Sequence, residues 1–291
     1  MRTYRLLAHF VGIGFAAVMI SPSLAAMTTF RDVPQNAWFS TYVQQAADMG
    51  IVSGYSDSAG NPTGYFGPAD TVSVTQSLKM EIGAAGMDAN KYRIGVSIIE
   101  NNTPHPLPFT QEWWYKYFLI AQAQGMSISG CRFFVDGGPD RPIRRWEMAR
   151  LIADVYQLLP RDQSDRYLFE NGVVANTHDA SFSNPYTDVD VTVKVDAGSV
   201  IPVPANPAEQ AAFDFAVDAE SRTAILRLTA DGVLSGDTFA NGVRRFRPLD
   251  TLNRAEAVKI LLKARATYPT SQVASPPSYD LENRPPMPCT G

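Results

Sequence analysis

The chain has 291 residues, with 25 lysines and arginines against 29 aspartates and glutamates, for a net charge of −4. That length holds one or two domains with a sizeable core, and the mild acidity argues against nucleic acid, which needs a basic stripe. Two cysteines, Cys131 and Cys289, and three histidines make neither a disulfide framework nor a zinc site, although an oxidising compartment would let the two cysteines pair.

Residues 1–25 read as an export signal. Arg2 and Arg5 give a positive start, and Leu6 to Ile20 is a mostly apolar run. Ser23-Leu24-Ala25 supplies the small residues of a cleavage site. The run falls short of the roughly 20 residues that span a bilayer, so an uncleaved anchor is the alternative reading. No later stretch is apolar enough to span a membrane. The mature protein is expected to be exported, to the cell envelope or cell surface, and either soluble there or attached non-covalently.

The first repeating unit is read at residues 30–86. Phe30-Arg31-Asp32-Val33-Pro34 is an extended lead-in. Trp38, Tyr42, Val43, Ala46, Ala47 and Met49 then recur at helical spacing and Gly50 ends the helix. A turn-rich loop from Ser56 to Gly64 leads to Phe66-Gly67-Pro68, and a second helix is predicted to start near Ser73. Residues 87–106 read as a polar connector.

The second unit is read at residues 107–159. Trp113, Tyr117, Ala121 and Gly125 keep the spacing of Trp38, Tyr42, Ala46 and Gly50 without a gap. A second helix carries Glu147, Met148, Leu151, Ile152 and Val155. Residues 160–185 read as another polar connector.

The third unit is read at residues 186–266. Tyr186-Thr187-Asp188-Val189 parallels Phe30-Arg31-Asp32-Val33. An insertion at 190–206 follows the alternating Val189, Val191, Val193 and Val195, which suggests a short strand or hairpin. Asn206-Pro207 marks a helix start, predicted to run on through Phe213, Phe215, Ala219, Ile225 and Leu228 to Gly232. Phe246-Arg247-Pro248 then precedes a final helix to about Ala266. Six prolines from Pro269 onward make residues 269–291 an extended tail or linker.

One step recurs in all three units. Phe66-Gly67-Pro68 precedes Val72-Ser73-Val74-Thr75-Gln76, and Phe246-Arg247-Pro248 precedes Leu252-Asn253-Arg254-Ala255-Glu256 at the same offset. Pro139 precedes Ile143-Arg144-Arg145-Trp146-Glu147. Recurrence on this scale is the mark of a repeat architecture. Ser73 with Gln76 and Asn253 with Glu256 fit capping boxes. Arg145 and Arg254 do not follow from helix mechanics, because a cation in the first turn opposes the helix dipole. They point to a nearby anion, held by free N–H groups and a guanidinium fork, or else to an internal ion pair with Asp32 or Asp188.

Taken together, Phe30-x-Asp32-Val33-Pro34, Trp38, Tyr42, Ala46, Gly50-Ile51, Gly54, Phe66-x-Pro68 and Asn253-Arg254-Ala255-Glu256 resemble S-layer homology repeats. The signature step of that family is Thr-Arg-Ala-Glu after Phe-x-Pro. The resemblance covers most of residues 30–266. It implies a mainly α fold, in which three helix-loop-helix repeats form a pseudo-threefold helical bundle, with a short β insertion in the third. It also implies non-covalent attachment to a cell-wall polysaccharide, either peptidoglycan or a secondary polymer bearing a pyruvate ketal.

Carried over residue by residue, the implied glycan-binding positions are Asp32 and Asp188, Trp38 and Trp113, and Gly54 and Gly236. Arg145 and Arg254 take the motif Arg, with Glu147 and Glu256 behind them. The units also depart from the pattern. Val74 and Gln76 replace the Arg and Glu of the first unit. The second has Leu107 for the Asp and Trp146 for the small Ala. The third has Glu220 for the Trp and Ala224 for the Tyr. Complementary halves would still make one or two working grooves between neighbours.

No nucleophile elbow, phosphate loop or zinc spacing is present. His105 and His178 sit in polar connectors, and the acidic loops at 57–64 and 188–190 lack the spacing of a calcium loop. The expectation is a protein that is not an enzyme and takes no cofactor or metal. It anchors itself, and whatever is linked to it, to a wall polysaccharide or peptidoglycan. A surface protein–protein scaffold that has lost glycan binding, assembling with other surface-layer proteins, is the alternative.

Overall fold

The computed structural model describes residues 30–91, 97–100, 103–106, 112–124, 126, 138–159, 169–170, 173–175, 182–190, 192–194 and 206–269. The stretch read as an export signal, both cysteines and the tail beyond Pro269 lie outside the described residues.

The architecture is mainly α. In chain order the helices are α1 (Ser40–Asp48), α2 (Val74–Ala84), α3 (Tyr115–Ala123), α4 (Arg145–Val155), α5 (Pro207–Val217), α6 (Ala219–Ala230) and α7 (Arg254–Thr267). Short strands fill the connections. β1 (Ser97–Glu100) and β2 (Thr103–Pro106) form an antiparallel pair. β4 (Val173–Ala175) lies between β3 (Phe169–Glu170) and β5 (Thr192–Lys194), antiparallel to both. β6 (Asp237–Thr238) pairs with β7 (Arg244–Arg245).

Several helix starts follow the sequence closely. Ser73 Oγ accepts the Gln76 N–H, and the Gln76 side chain accepts the Ser73 N–H in return. Asn253 and Glu256 reciprocate in the same way ahead of α7. Asn206 caps α5 by accepting from Ala208 and Glu209.

Two expectations need correction. The single helix read from Asn206 to Gly232 is two. Asp218 leaves the helical region at φ −81°, ψ 92°, and its carboxylate caps α6 by accepting the N–H groups of Glu220 and Ser221. A side chain that satisfies the orphan donors of a helix start lets the chain turn there at little cost. The stretches read as polar connectors also carry strands. The insertion strand β5 has its partner β4 in residues 160–185, because period-2 alternation reveals a strand but not its partner.

The core forms where α2, α4 and α7 pack against one another. α1 lies on α7, α3 on α2 and α6 on α4. Ahead of the three central helices, the chain closes a ring of hydrogen bonds. Val72 N–H donates to Leu252 C=O at 3.0 Å, Leu252 N–H to Ile143 C=O at 3.2 Å, and Ile143 N–H to Val72 C=O at 2.9 Å. All three side chains are buried. The first two N–H groups of each central helix continue the pattern. Val74 and Thr75 donate to Arg141 and Pro139, Arg145 and Trp146 to Asp250 and Pro248, and Arg254 and Ala255 to Asp70 and Pro68. Each helix start is thus satisfied by the loop of a different unit.

Glu81 breaks the apolar character of this core. It is fully buried on α2, eight positions into the helix, where α4 has Ile152 and α7 has Leu261. Among the described residues neither carboxyl oxygen has a hydrogen-bond partner, and burial pushes its pKa up to about 8.

Candidate functional site: three boundaries between helical units

The ten candidate residues fall around the contacts of α1 with α7, α2 with α3, and α4 with α6. They do not play equal parts.

Asp32 and Asp188 hold loops. Asp32 Oδ1 and Oδ2 accept the N–H groups of Phe66 and Gly67 at 2.8 and 2.7 Å. Asp188 does the same for Phe246 and Arg247, both at 2.8 Å. Neither carboxylate makes the ion pair with an arginine that was the alternative reading of Arg145 and Arg254. Gly54 and Gly236 keep the same loops close to the chain. Gly54 has φ +70°, and a Cβ there would lie 2.6 Å from Phe30 Cε1. A Cβ at Gly236 would collide with Arg245 C=O and the Tyr186 ring.

Arg145 and Arg254 are buried. Arg254 Nε donates to Phe66 C=O at 2.8 Å, and its guanidinium carbon lies 4.8 Å from the Phe66 ring centre and 4.9 Å from that of Tyr55. Tyr55 Oη in turn donates to Asp70 Oδ2 at 2.8 Å. Arg145 repeats the arrangement, with Nε on Phe246 C=O at 2.8 Å and the guanidinium 5.0 Å from the Phe246 ring. Burial draws both guanidinium pKa values below the ordinary one, while nearby acids oppose it. The backbone half of the expected anion seat is absent. The N–H groups of the first turn are already taken by neighbouring loops and by the caps. An anion at these positions would meet the guanidinium alone.

Glu147 and Glu256 serve the helix starts. Glu147 Oε2 accepts the Arg144 N–H at 2.8 Å, and its carboxylate takes the Arg141 guanidinium in a two-point contact. Glu256 completes the α7 capping box, with Oε1 3.9 Å from Arg145 Nη1.

The tryptophans face outward. Trp38 is 55% exposed and Trp113 49%, so neither is a core residue; Trp114, one position on, is buried in place of Trp113. Lys259 Nζ of α7 sits 5.1 Å over the Trp38 ring, and Lys79 Nζ of α2 sits 5.9 Å from the Trp113 ring. At the third boundary Arg150 of α4 forms an ion pair with Glu220 of α6. Lys79, Arg150 and Lys259 are each the sixth residue of their helix. Sequence reasoning missed these cations, together with Tyr55. The shared offset from Val74, Arg145 and Arg254 was the available signal.

The boundaries therefore differ in chemistry. The α1–α7 boundary joins Arg254, Tyr55, Trp38 and Lys259. The α2–α3 boundary has Val74 where an arginine would stand, with Trp113 and Lys79. The α4–α6 boundary has Arg145, but an internal ion pair where the others have Trp and Lys. A groove of about 760 Å3 along α1, from Phe30 to Met49, contains none of the candidate residues. Among the described residues no cluster of His, Cys, Asp and Glu could hold a metal, and no helix is long and apolar enough to cross a membrane.

No curated protein matches the chain. A family model for the S-layer homology domain matches residues 29–73. The matched stretch contains Asp32, Trp38, Gly54, Tyr55 and the Phe66 loop, which is the first-unit side of the α1–α7 boundary. Residues 29–73 are thus similar to an S-layer homology domain, a domain type that anchors proteins to cell walls and is typical of the cell surface.

Proposed function

We propose that the chain is an exported, non-covalent envelope anchor made of three S-layer homology repeats in pseudo-threefold array, with its principal glycan seat at the α1–α7 boundary. The ring of Val72, Ile143 and Leu252 supports the arrangement, since one repeat position from each unit bonds to the next in turn.

One observation carries the choice of seat. Arg254 is held by Nε alone, and among the described residues no carboxylate pairs with its Nη atoms. A guanidinium fixed at one nitrogen and flanked by aromatic rings is preorganised for a carboxylate on a sugar. Half-exposed Trp38 supplies a face for the sugar ring, and Lys259 adds a second cation. An acidic polymer segment, such as a ketal-bearing sugar of a secondary wall polymer, fits this set.

The test is co-sedimentation of the full chain with purified sacculi, before and after chemical removal of the secondary polymer. Trp38→Ala and Lys259→Ala are the informative variants, since both side chains lie outside the core. Binding that disappears on stripping, and falls about tenfold or more in each variant, supports the seat. Binding that survives stripping redirects the ligand to peptidoglycan. No binding to either preparation overturns the anchor and leaves the protein scaffold.

A further inference from the structure

Glu81 has no part in the anchor seat, and its position is unfavourable. It is fully buried on α2, at the place that Ile152 and Leu261 take on the two other central helices, α4 and α7. An unpaired carboxylate in an apolar core is so costly that the group keeps its proton instead. Burial is the one cause that pushes its pKa up to about 8, and among the described residues no cation opposes it.

The helices packed against α2 bring no counter-charge. From α4 comes Tyr156, buried, whose hydroxyl has no hydrogen-bond partner among the described residues; burial and then the Glu81 charge push its pKa up. Arg150 of α4 is engaged with Glu220 and Asp154. From α7 comes Arg265, which acts on Tyr156 while Nη1 donates to Ala84 C=O. Lys259 and Lys263 of α7 lie over Trp38 and on Gly232 C=O. On α3, the buried Tyr115 hydroxyl has no partner among the described residues, and Lys116 is bonded to Asn90 Oδ1.

α2 also braces both walls of the α1–α7 boundary. Ahead of it, Asp70 C=O accepts the Arg254 N–H, and Val72 N–H donates to Leu252 C=O. At its far end Ala84 C=O accepts Arg265 Nη1 at 2.5 Å. These bonds hold α7. Gly83 lies against Ile51, where a Cβ would come 3.7 Å from Ile51 Cα, and the Ile51 N–H is bonded to Ala46 C=O of α1. A helix so placed cannot leave the centre without loosening the elements that carry Trp38 and Arg254.

We propose that Glu81 is a proton-operated latch: uncharged it lets α2 seat between α4 and α7, and ionised it unseats α2 and releases the chain from its wall ligand. The release rests on the anchoring reading; the unseating does not. The closed bundle holds a proton that the opened one gives up. Closure is therefore fully favoured below the ordinary carboxyl value of 4.5. It loses about tenfold per unit as pH climbs beyond about 8.

The experiment follows the full chain and its Glu81→Leu and Glu81→Gln variants from about pH 6 to about pH 10. Brief subtilisin digestion, read by mass spectrometry, reports cleavage within α2, which tracks the population of the opened form. Co-sedimentation with sacculi reports attachment. Relative to Glu81→Leu, the parent is expected to gain α2 cleavage by about tenfold per unit above about pH 8. It should lose about tenfold or more in wall affinity by about pH 10, and recover both on return to about pH 6. Neither variant has a proton to lose, so both should show a flat profile. Glu81→Gln, close to glutamate in shape, serves if leucine packs badly.

Parallel cleavage profiles in the parent and both variants would overturn the latch. α2 cleavage that rises in the parent alone while wall binding holds would overturn the release. Failure of every chain to sediment even at the acid end sinks the anchor, and the cleavage profile still decides the latch.

Discussion

Arg254 Nε donates to the carbonyl of Phe66, 188 residues earlier in the chain, at 2.8 Å. The bond ties the start of the last helix to the loop of the first unit, and Arg145 makes the matching bond to Phe246. These arginines therefore hold the fold as well as any ligand. Arg254→Ala is expected to cost about 2 kcal/mol, the scale of a lost charge-assisted hydrogen bond. Urea unfolding of the variant checks this. An unchanged midpoint would mean the bond carries no net stability, and any loss of wall binding could then be assigned to the ligand alone.

Glu81 makes stability fall with rising pH. Its carboxyl keeps its proton to about pH 8 in the folded chain, against an ordinary value of 4.5. The folded state binds the extra proton between those limits. Its contribution is therefore whole below about pH 4.5 and is lost as pH climbs through 8. The gap corresponds to about 5 kcal/mol at most. Glu81→Leu, matching Leu261, should gain more stability over the parent at pH 9 than near pH 4.5. Chemical denaturation at both pH values is the measurement, and parallel pH profiles would remove Glu81 as the cause.

Asp32 clamps two amides, and its loss leaves both without an acceptor. Asp32→Ala should destabilise by about 3 kcal/mol, the scale of two orphaned amide donors. Hydrogen exchange should quicken at Phe66 and Gly67 and stay slow at Phe246, which Asp188 holds. Equal protection at Phe66 in variant and parent would show that the clamp is dispensable.

The third boundary supplies the contrast. The Glu220 side chain is 36% exposed, so solvent screens its pair with Arg150, and Glu220→Ala should cost about 1 kcal/mol or less. Binding to sacculi should be unaffected. A fall in binding as large as that of Trp38→Ala would place a ligand at α4–α6 as well.

Capping boxes, helix periodicity and the repeated Pro step were legible because they are local. Ser73, Asn206 and Asn253 act on amides two or three residues away. The break at Asp218 was local too, but an apolar run on both sides masked it. The strand β4 went unread because its partner lies across a connection and its own three residues carry no period.

The sequence by itself determined that a Pro step recurs ahead of three helix starts, and which residue stands at each position after it. Only the tertiary structure decided what those residues do. Asp32 looked like a ligand contact and holds a loop, because the amides of Phe66 and Gly67 fold onto it. Trp38 and Trp113, which keep one spacing in the sequence, lie half in water, since α7 and α2 bring a lysine to their faces rather than an apolar wall. The three boundaries have the same sequence offsets. Whether the sixth-position cation meets a carboxylate or an aromatic ring depends on which helix packs against which. That is a property of the closed ring at Val72, Ile143 and Leu252, and of no single stretch of chain.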